Sequence, residues 1–312
     1  MSAAPPRVLT AAGGRELRLE RPWLMGVLNA SPDSFSDGDA AGLEARVERA
    51  RELLGAGADL IDIGGESAIT GVPAVSAEEE IARVVPLVER VAGELGALVS
   101  VDTYKPAVAQ AAVAAGAAIV NDVSGLRDIG LADVCARTGA ALVVMHTATP
   151  PKVRRDDPGL YDDVVADVLA LLSERMAAAC GRGMREEQFM VDPGPDFAKT
   201  PAQTVEALRR LSELHALGRP ILLAASRKDF IGALTGRSPR ERLAGTLAAV
   251  AEGVDAGAHV LRVHDVRDVA DFLAVRGVLR GERVVPEDLL LARELRRERP
   301  SSRASPSLSM GN

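Results

Sequence analysis

The stretch FMVDPGPDFAKTPAQTVEALRRLSELHALGRPILLAAS, residues 189–226, decides the fold. It opens with a short apolar run, 189–192, that ends on an acid. A loop containing proline and glycine follows. Residues 201–217 then place Val205, Leu208, Leu211 and Leu214 on one stripe at helical spacing. Pro201 suits a first helical turn, Thr200 suits the cap before it, and Gly218 ends the pattern. A second apolar run, 221–226, completes the unit. Runs of this length that are apolar throughout suit strands buried on both faces, as in a parallel sheet.

The same unit repeats along the chain. Short runs rich in Val, Ile or Leu lie at 23–29, 60–64, 97–102, 118–122, 141–146, 189–192, 221–226 and 260–264. Helical patterns lie between them. Residues 76–92 open with SAEE, a capping-box spacing, and continue with Ile81, Val84, Val85 and Val88 on one face. Residues 158–182 turn Val164, Val168, Leu171 and Leu172 inward, and 239–256 and 265–279 complete the set. Eight β–α units over about 260 residues predict an α/β fold, the (β/α)8 TIM barrel, in a single domain. An open doubly wound sheet also alternates, but no GxGxxG follows the first run, and a count of eight favours closure. The barrel domain is expected over roughly 21–281. Residues 1–20 suit a small hairpin closing the barrel bottom. In the tail, 282–312, residues 287–299 read as one charged helix and the Ser/Pro-rich end as disordered.

Composition narrows the function classes. The chain has 312 residues, 47% of them hydrophobic, enough for a sizeable core. A formal charge of −7 does not favour a nucleic-acid partner. The two cysteines, Cys135 and Cys180, form neither a zinc spacing nor a disulfide framework. No apolar stretch reaches the roughly 18 residues of a membrane helix. The first twenty residues lack the apolar core of a signal peptide. A cytoplasmic protein without a membrane partner is expected. Lysine is scarce in this Arg-rich chain: Lys105, Lys152, Lys199 and Lys228 are all there are.

In a barrel, chemistry gathers where the strands end. The runs end, in order, in Asn29, in Gly-Gly-Glu66-Ser, in Asp102-Thr103, in Asn121-Asp122, in His146, in Asp192-Pro-Gly, in Ser226-Arg227-Lys228 and in Arg262-Val-His264-Asp265. One acid at a strand end is also explained as a cap for the next helix; eight polar ends in register point to one mouth. Asp102, Asn121, Asp192 and Lys228 offer the donors and acceptors that a flat polar heterocycle needs. Arg262 and His264 are two apart on a strand and share a face. With Arg227 and Asn29 they suit a phosphate or pyrophosphate; an ion-paired barrel rim is the lesser alternative, and a cation embedded in VLRVHDV is poorly explained as a solvated surface.

Taken together, MGVLNASPDSFSDG (25–38), ADLIDIGGES (58–67), SVDT (100–103), VNDVSG (120–125), VVMH (143–146), VDPGPDFAKT (191–200), SRK (226–228) and RVHD (262–265) resemble the dihydropteroate synthase family. The resemblance runs over about 21–280 and is specific because the motifs occur together and in this order. It implies a (β/α)8 barrel, a homodimer, and Mg²⁺ assisting a pyrophosphate leaving group. It implies that Asp102, Asn121, Asp192 and Lys228 grip a pterin. Asn29, Arg262 and His264 would hold its pyrophosphate, with Asn29 next to the metal. The loop after the first strand, with Phe35 and Asp37, would close over the site. Phe197 and Lys228 would form the p-aminobenzoate pocket, and Asp102, Asp37 and Lys228 would be the catalytic groups.

The chain also departs from that pattern. After GGES the family usually continues Thr-Arg-Pro-Gly, where this chain has Ala68-Ile69-Thr70-Gly71. Losing a charge-assisted contact costs roughly 1.5–3 kcal/mol. Asp196 stands where glycine is common, and Asp229 where a basic or neutral residue is common. Both place negative charge near the expected p-aminobenzoate pocket. A divergent paralogue that binds a pterin pyrophosphate without this activity, or with another amine, is therefore the alternative to a working synthase. A pterin-using methyltransferase domain is a third reading, and the RVHD clamp and the SPDSFSDG segment speak against it. Lys199 reads equally as a loop-orienting or a surface residue, and Glu66 as a supporting residue rather than a catalytic one.

Overall fold

A computed structural model describes residues 8–30, 40–67 and 71–297. The chain divides into two compact units, Met1–Phe272 and Leu273–Asn312. The first unit begins with a hairpin. Strands β1 (Val8–Ala11) and β2 (Arg15–Arg18) pair antiparallel, with Val8 opposite Arg18, and the turn between them puts Gly13 at φ +71°. Eight parallel strands follow: β3 (Trp23–Asn29), β4 (Leu60–Gly64), β5 (Leu98–Asp102), β6 (Ile119–Asp122), β7 (Ala141–Met145), β8 (Phe189–Asp192), β9 (Leu222–Leu223) and β10 (Val260–Val263). Their order is β8-β7-β6-β5-β4-β3-β10-β9. A parallel bridge between Val191 and Ile221 joins the two ends, and Val191 N donates to Pro220 O at 2.9 Å. The sheet is therefore closed, and the open doubly wound alternative is not what forms.

Helices α1 (Ala40–Gly55), α2 (Ala77–Gly93), α3 (Pro106–Ala114), α4 (Gly130–Thr138), α5 (Val164–Cys180), α6 (Pro201–Arg209), α7 (Asp229–Thr235), α8 (Leu243–Asp255) and α9 (Val266–Leu279) follow the strands. The capping signals act as read. Ser76 accepts from Glu79 N at 3.1 Å. Thr200 Oγ1 accepts from Gln203 N at 3.3 Å while Gln203 Oε1 accepts from Thr200 N at 2.8 Å.

Several boundaries differ from the sequence reading, each for a local reason. The expected helix 158–182 starts only at Val164, because Asp163 caps it by accepting from Val165 N and Ala166 N at 2.8 and 3.1 Å. The expected helix 201–217 breaks at Arg210 and continues as a 3-10 turn, Leu211–Leu217. Leu211 and Leu214 are buried as read, but within α6 the buried pair is Thr204 and Ala207. The expected strand 221–226 keeps only Leu222–Leu223 in the ladder, and its end diverts into the mouth. In the second unit, the described part of 287–299 holds a single 3-10 turn, Arg293–Leu295, rather than a helix. An isolated segment that short does not pay the cost of helix nucleation. The last residues, 298–312, lie outside the described ones.

The barrel is filled in layers. Its lower layer packs Met25, Leu60, Ile119, Met190, Leu222 and Val260 against Leu9, Ala11 and Leu19. These barrel residues lie toward the N-terminal ends of their strands, so the hairpin seals that end. The upper layer is polar, and it forms the mouth.

Candidate active site

Side chains on a strand alternate, so Leu60, Asp62 and Gly64 share the inner face of β4, and Val260 and Arg262 that of β10. The alternation brings Asp62 and Arg262 together inside the barrel. Arg262 Nε donates to Asp62 Oδ2 at 2.6 Å, and its Nη2 donates to Asp102 Oδ2 at 2.7 Å. Asn121 Nδ2 donates to the same Asp62 oxygen at 3.1 Å. A guanidinium fork is the side chain best able to bridge two carboxylates. Asp62 is fully buried. Its Oδ1, and Ser100 Oγ opposite it on the β4–β5 ladder, are buried without a hydrogen-bond partner. Buried polar groups are nearly always paired, so this floor has room for hydrogen bonds from water or a polar ligand.

Burial pushes the Asp102 carboxyl up to about 7; Arg262 opposes the shift and Asp62 reinforces it. Asp192, buried at the end of β8, accepts from Gly194 N at 2.7 Å. Burial raises its carboxyl as well, against the pull of Lys228 and Lys199. Gly194 must be glycine: φ is +64°, and a Cβ there would lie 2.1 Å from His146 O. Lys228 stands at the residue before α7 and holds Nζ 4.3 Å from the centroid of the Phe197 ring. Burial depresses the Lys228 amine, and Asp196 and Asp192 oppose that.

A second group of side chains lies around the ends of β9 and β10. His264 Nδ1 lies 3.0 Å from Ser226 Oγ, which also accepts from His264 N at 3.2 Å. Burial, followed by the Arg262 and Arg227 charges, pushes His264 down to about 4, so the ring is neutral at pH 7. Arg227 donates from Nε to Asp265 Oδ2 at 2.9 Å and, from Nη2, to Asp265 Oδ1. Asn29 is exposed at the end of β3, beside Gly64. The mouth thus joins a carboxylate- and amide-lined floor, bridged by Arg262, to a rim that carries His264, Asn29 and the Arg227–Asp265 pair, with an aromatic ring and an amine on one side.

This combination matches known proteins. The sequence pattern of pterin binding enzymes covers residues 25–264. The chain is 40% identical over 265 residues to the dihydropteroate synthase of Escherichia coli strain K12, covering 85% of this chain and 94% of that one. It is 42% identical over 253 residues to the synthase of Bacillus subtilis strain 168, covering 80% and 86%. Among solved structures, Xanthomonas albilineans dihydropteroate synthase with 4-aminobenzoic acid superposes with a TM-score of 0.81 at 44% identity, over 90% of this chain and 99% of that one. The same enzyme in complex with 7,8-dihydropteroate gives 0.78 at 43% identity, over 89% and 100%.

The chain belongs to the dihydropteroate synthase family.

Of the residues that the family resemblance selects, Asp102, Asn121, Asp192, Phe197, Lys228, Arg262 and His264 all lie at or just beyond strand ends around this one mouth. Phe35 and Asp37, like Ala68, Ile69 and Thr70, fall outside the described residues. Asp62 was missed by the sequence reading, although an acid within LIDIG on the inner face carries the same signal as the arginine within VLRV. Glu66 is engaged by three neighbouring side chains. Its carboxylate accepts from Tyr104 Oη at 2.9 Å and is paired with Lys105 and, at 2.7 Å, with Lys152. Lys105 also reaches Glu80 at 2.6 Å and Val75 O at 2.8 Å. Lys152 reaches Val72 O and Pro73 O at 3.1 and 2.9 Å. The three loops after β4, β5 and β7 are tied together beside a cleft lined in part by Asp102, Tyr104, Lys152 and Phe197.

Two of the departures from the family pattern turn out to have local partners. Asp196 sits at φ +66°, a conformation that favours glycine. Its Oδ2 accepts from Asp229 N at 2.5 Å, and its Oδ1 from Phe230 N and Thr204 Oγ1 at 3.3 Å each. It therefore caps α7, whose own N-cap residue, Lys228, provides no side-chain cap. Asp229 pairs with Arg242 at 2.9 Å and Arg154 at 3.2 Å, which hold its carboxyl below the usual range. The added negative charge is met by backbone donors and arginines rather than left facing the pocket.

Proposed function

We propose that this protein is a dihydropteroate synthase. It condenses 7,8-dihydropterin-6-ylmethyl pyrophosphate with p-aminobenzoate, giving 7,8-dihydropteroate and pyrophosphate. The observation that carries this reading is the Asp62–Arg262–Asp102–Asn121 layer at the floor of the mouth. Asp102, Asn121, Asp192 and Lys228 bind the pterin edge. Arg262, His264 and Asn29 receive the pyrophosphate. Phe197 and Lys228 form the wall against which the aromatic amine docks.

The chemistry follows from charge. The bond from the methylene carbon to the pyrophosphate oxygen breaks, and the leaving group takes the electron pair. Positive charge spreads from the methylene into the pterin ring. The Asp102 carboxylate stabilises it, with Asp37 in the same role. The amine nitrogen of p-aminobenzoate then attacks and gives up a proton. Excluding water at this stage prevents hydrolysis of the pterin. No covalent enzyme nucleophile is required, and both ring nitrogens of His146 are already engaged, by Lys199 and Asp167.

Among the described residues no three His, Cys, Asp or Glu side chains are grouped to hold a metal. That donor set still fits Mg²⁺, which commonly takes one or two protein oxygens and completes its shell with substrate phosphates and water. Asn29 Oδ1 would be the protein oxygen, and Mg²⁺ when bound neutralises pyrophosphate charge.

The test is to supply purified protein with the pterin pyrophosphate, Mg²⁺ and p-aminobenzoate and follow dihydropteroate by chromatography. Product formation supports the synthase. Tight binding of the pterin pyrophosphate with no product would favour the paralogue that Ala68-Ile69 suggests. On the resemblance alone we expect a homodimer in the cytoplasm; a light-scattering mass equal to one chain, 32.6 kDa, would remove the dimer.

A further inference from the structure

We propose that Lys199 is a positioning residue for the second-substrate side of the mouth, acting through the 194–198 loop on Phe197 and Lys228. This rests on the synthase reading above. Lys199 is 1% exposed, and an ammonium is costly to bury unless its hydrogens are all engaged. They are. Nζ lies 2.7 Å from His146 Nδ1 and donates to Gly194 O at 3.0 Å and Phe197 O at 3.2 Å, with His146 O at 3.4 Å. The contact with Nδ1 requires a lone pair there. The ring proton is therefore on Nε2, 2.8 Å from Asp167 Oδ1. Tyr161 Oη holds the next carbonyl, Ala198 O, at 2.9 Å.

The loop needs this clamp. Gly194, Asp196 and Ala198 all have positive φ, at +64°, +66° and +49°. For the two non-glycine residues that conformation is unfavourable and persists only where the surroundings fix it. Lys199 fixes it from inside the barrel wall, by holding the carbonyls on either side of Asp196. The ring of Phe197, 4.3 Å from Lys228 Nζ, takes its place from that loop. Lys199 touches neither substrate, so its effect belongs to the docking of the amine and not to the pterin grip.

The clamp also carries a pH signature. Burial lowers the Lys199 amine from 10.5 to about 7, with Lys228 adding to the shift. Asp192 on β8, Asp167 on α5 and Asp196 in the loop oppose it. His146, the residue after β7, itself pushed down to about 4, is the neutral partner. The ammonium form, with three donors, is present below that value and is lost as pH rises through it.

The experiment compares wild type, K199M and D167N. Asp167 is half exposed, so D167N weakens the relay without emptying a buried site. K199M should raise KM for p-aminobenzoate about tenfold and leave pterin pyrophosphate Kd, measured by calorimetry, within about twofold. D167N should move KM in the same direction by less. In wild type, KM for p-aminobenzoate should rise as pH passes about 7, and that rise should be smaller in K199M, where only the Asp102 carboxyl still titrates in that range. Hydrogen exchange of the 196–198 amides in the unliganded protein should be faster in both variants, a readout that needs no turnover. Unchanged KM and exchange in both variants, or an equal loss of pterin pyrophosphate affinity, would overturn the proposal. A wild type that makes no dihydropteroate sinks the synthase reading instead, and the exchange result still decides the role of Lys199.

Discussion

At the scale of single residues, Arg262 holds two roles at once. In the proposed reaction it is the charge that pyrophosphate would meet, and it is the only bridge seen between Asp62 and Asp102 among the described residues. Removing one partner of a buried ion pair leaves the others uncompensated, typically at roughly 3–5 kcal/mol. R262M should therefore lower urea stability by about that amount as well as abolish turnover. Adding D62N to R262M should recover part of the stability and none of the activity; a double variant no more stable than R262M would count against the pairing. The sequence made Arg262 and His264 legible, because a charge two residues from a histidine on an apolar strand has few surface explanations. It did not reveal that Asp62 would be the partner, since the two are 200 residues apart and only barrel closure brings them together. Lys199 was undecidable for a related reason. Its burial depends on carbonyls and a histidine whose positions exist only in the fold.

At the scale of elements, the short helix α7 shows how a departure from a family pattern can be absorbed. Its first residues are capped from the β8–α6 loop by Asp196, at the cost of a left-handed conformation for a residue with a Cβ. The two effects separate by substitution. D196A loses the cap and keeps the strain, and should cost about 1 kcal/mol. D196G loses the cap and relieves the strain, and should cost less. Urea unfolding orders the two, and a D196G less stable than D196A would reject this account. In sequence Asp196 read as misplaced charge, because neither its φ nor the N–H groups of Asp229 and Phe230 are visible in one dimension. Helix starts with a clear cap, Ser76 and Thr200, were placed well. The break at Arg210 was not, since the leucine spacing suits either an α-helix or a helix relaxing into a 3-10 turn.

At the scale of the whole molecule, the eightfold alternation carried the barrel, and the polar ends of the runs carried its mouth. What could not be read was the closure itself, which rests on one bridge and a two-residue strand, β9. The molecule separates stability from chemistry along its axis. The hairpin packs Leu9 and Ala11 into the lower layer, at the far end from Asp102 and Lys228. L9A should therefore cost about 2–5 kcal/mol in urea unfolding. Its KM values should be those of wild type while it stays folded, and a selective rise in either KM would break that separation.

The scarcity of lysine acquires a further meaning once the fold is known. Lys105, Lys152, Lys199 and Lys228 follow β5, β7, β8 and β9, so every lysine in the chain belongs to the mouth. An acylating reagent aimed at side-chain amines has no neutral place to land on this protein. Tethering it to a resin or a dye through lysine is chemistry performed on the active end, and the pattern of labelling becomes a footprint of whatever is bound there.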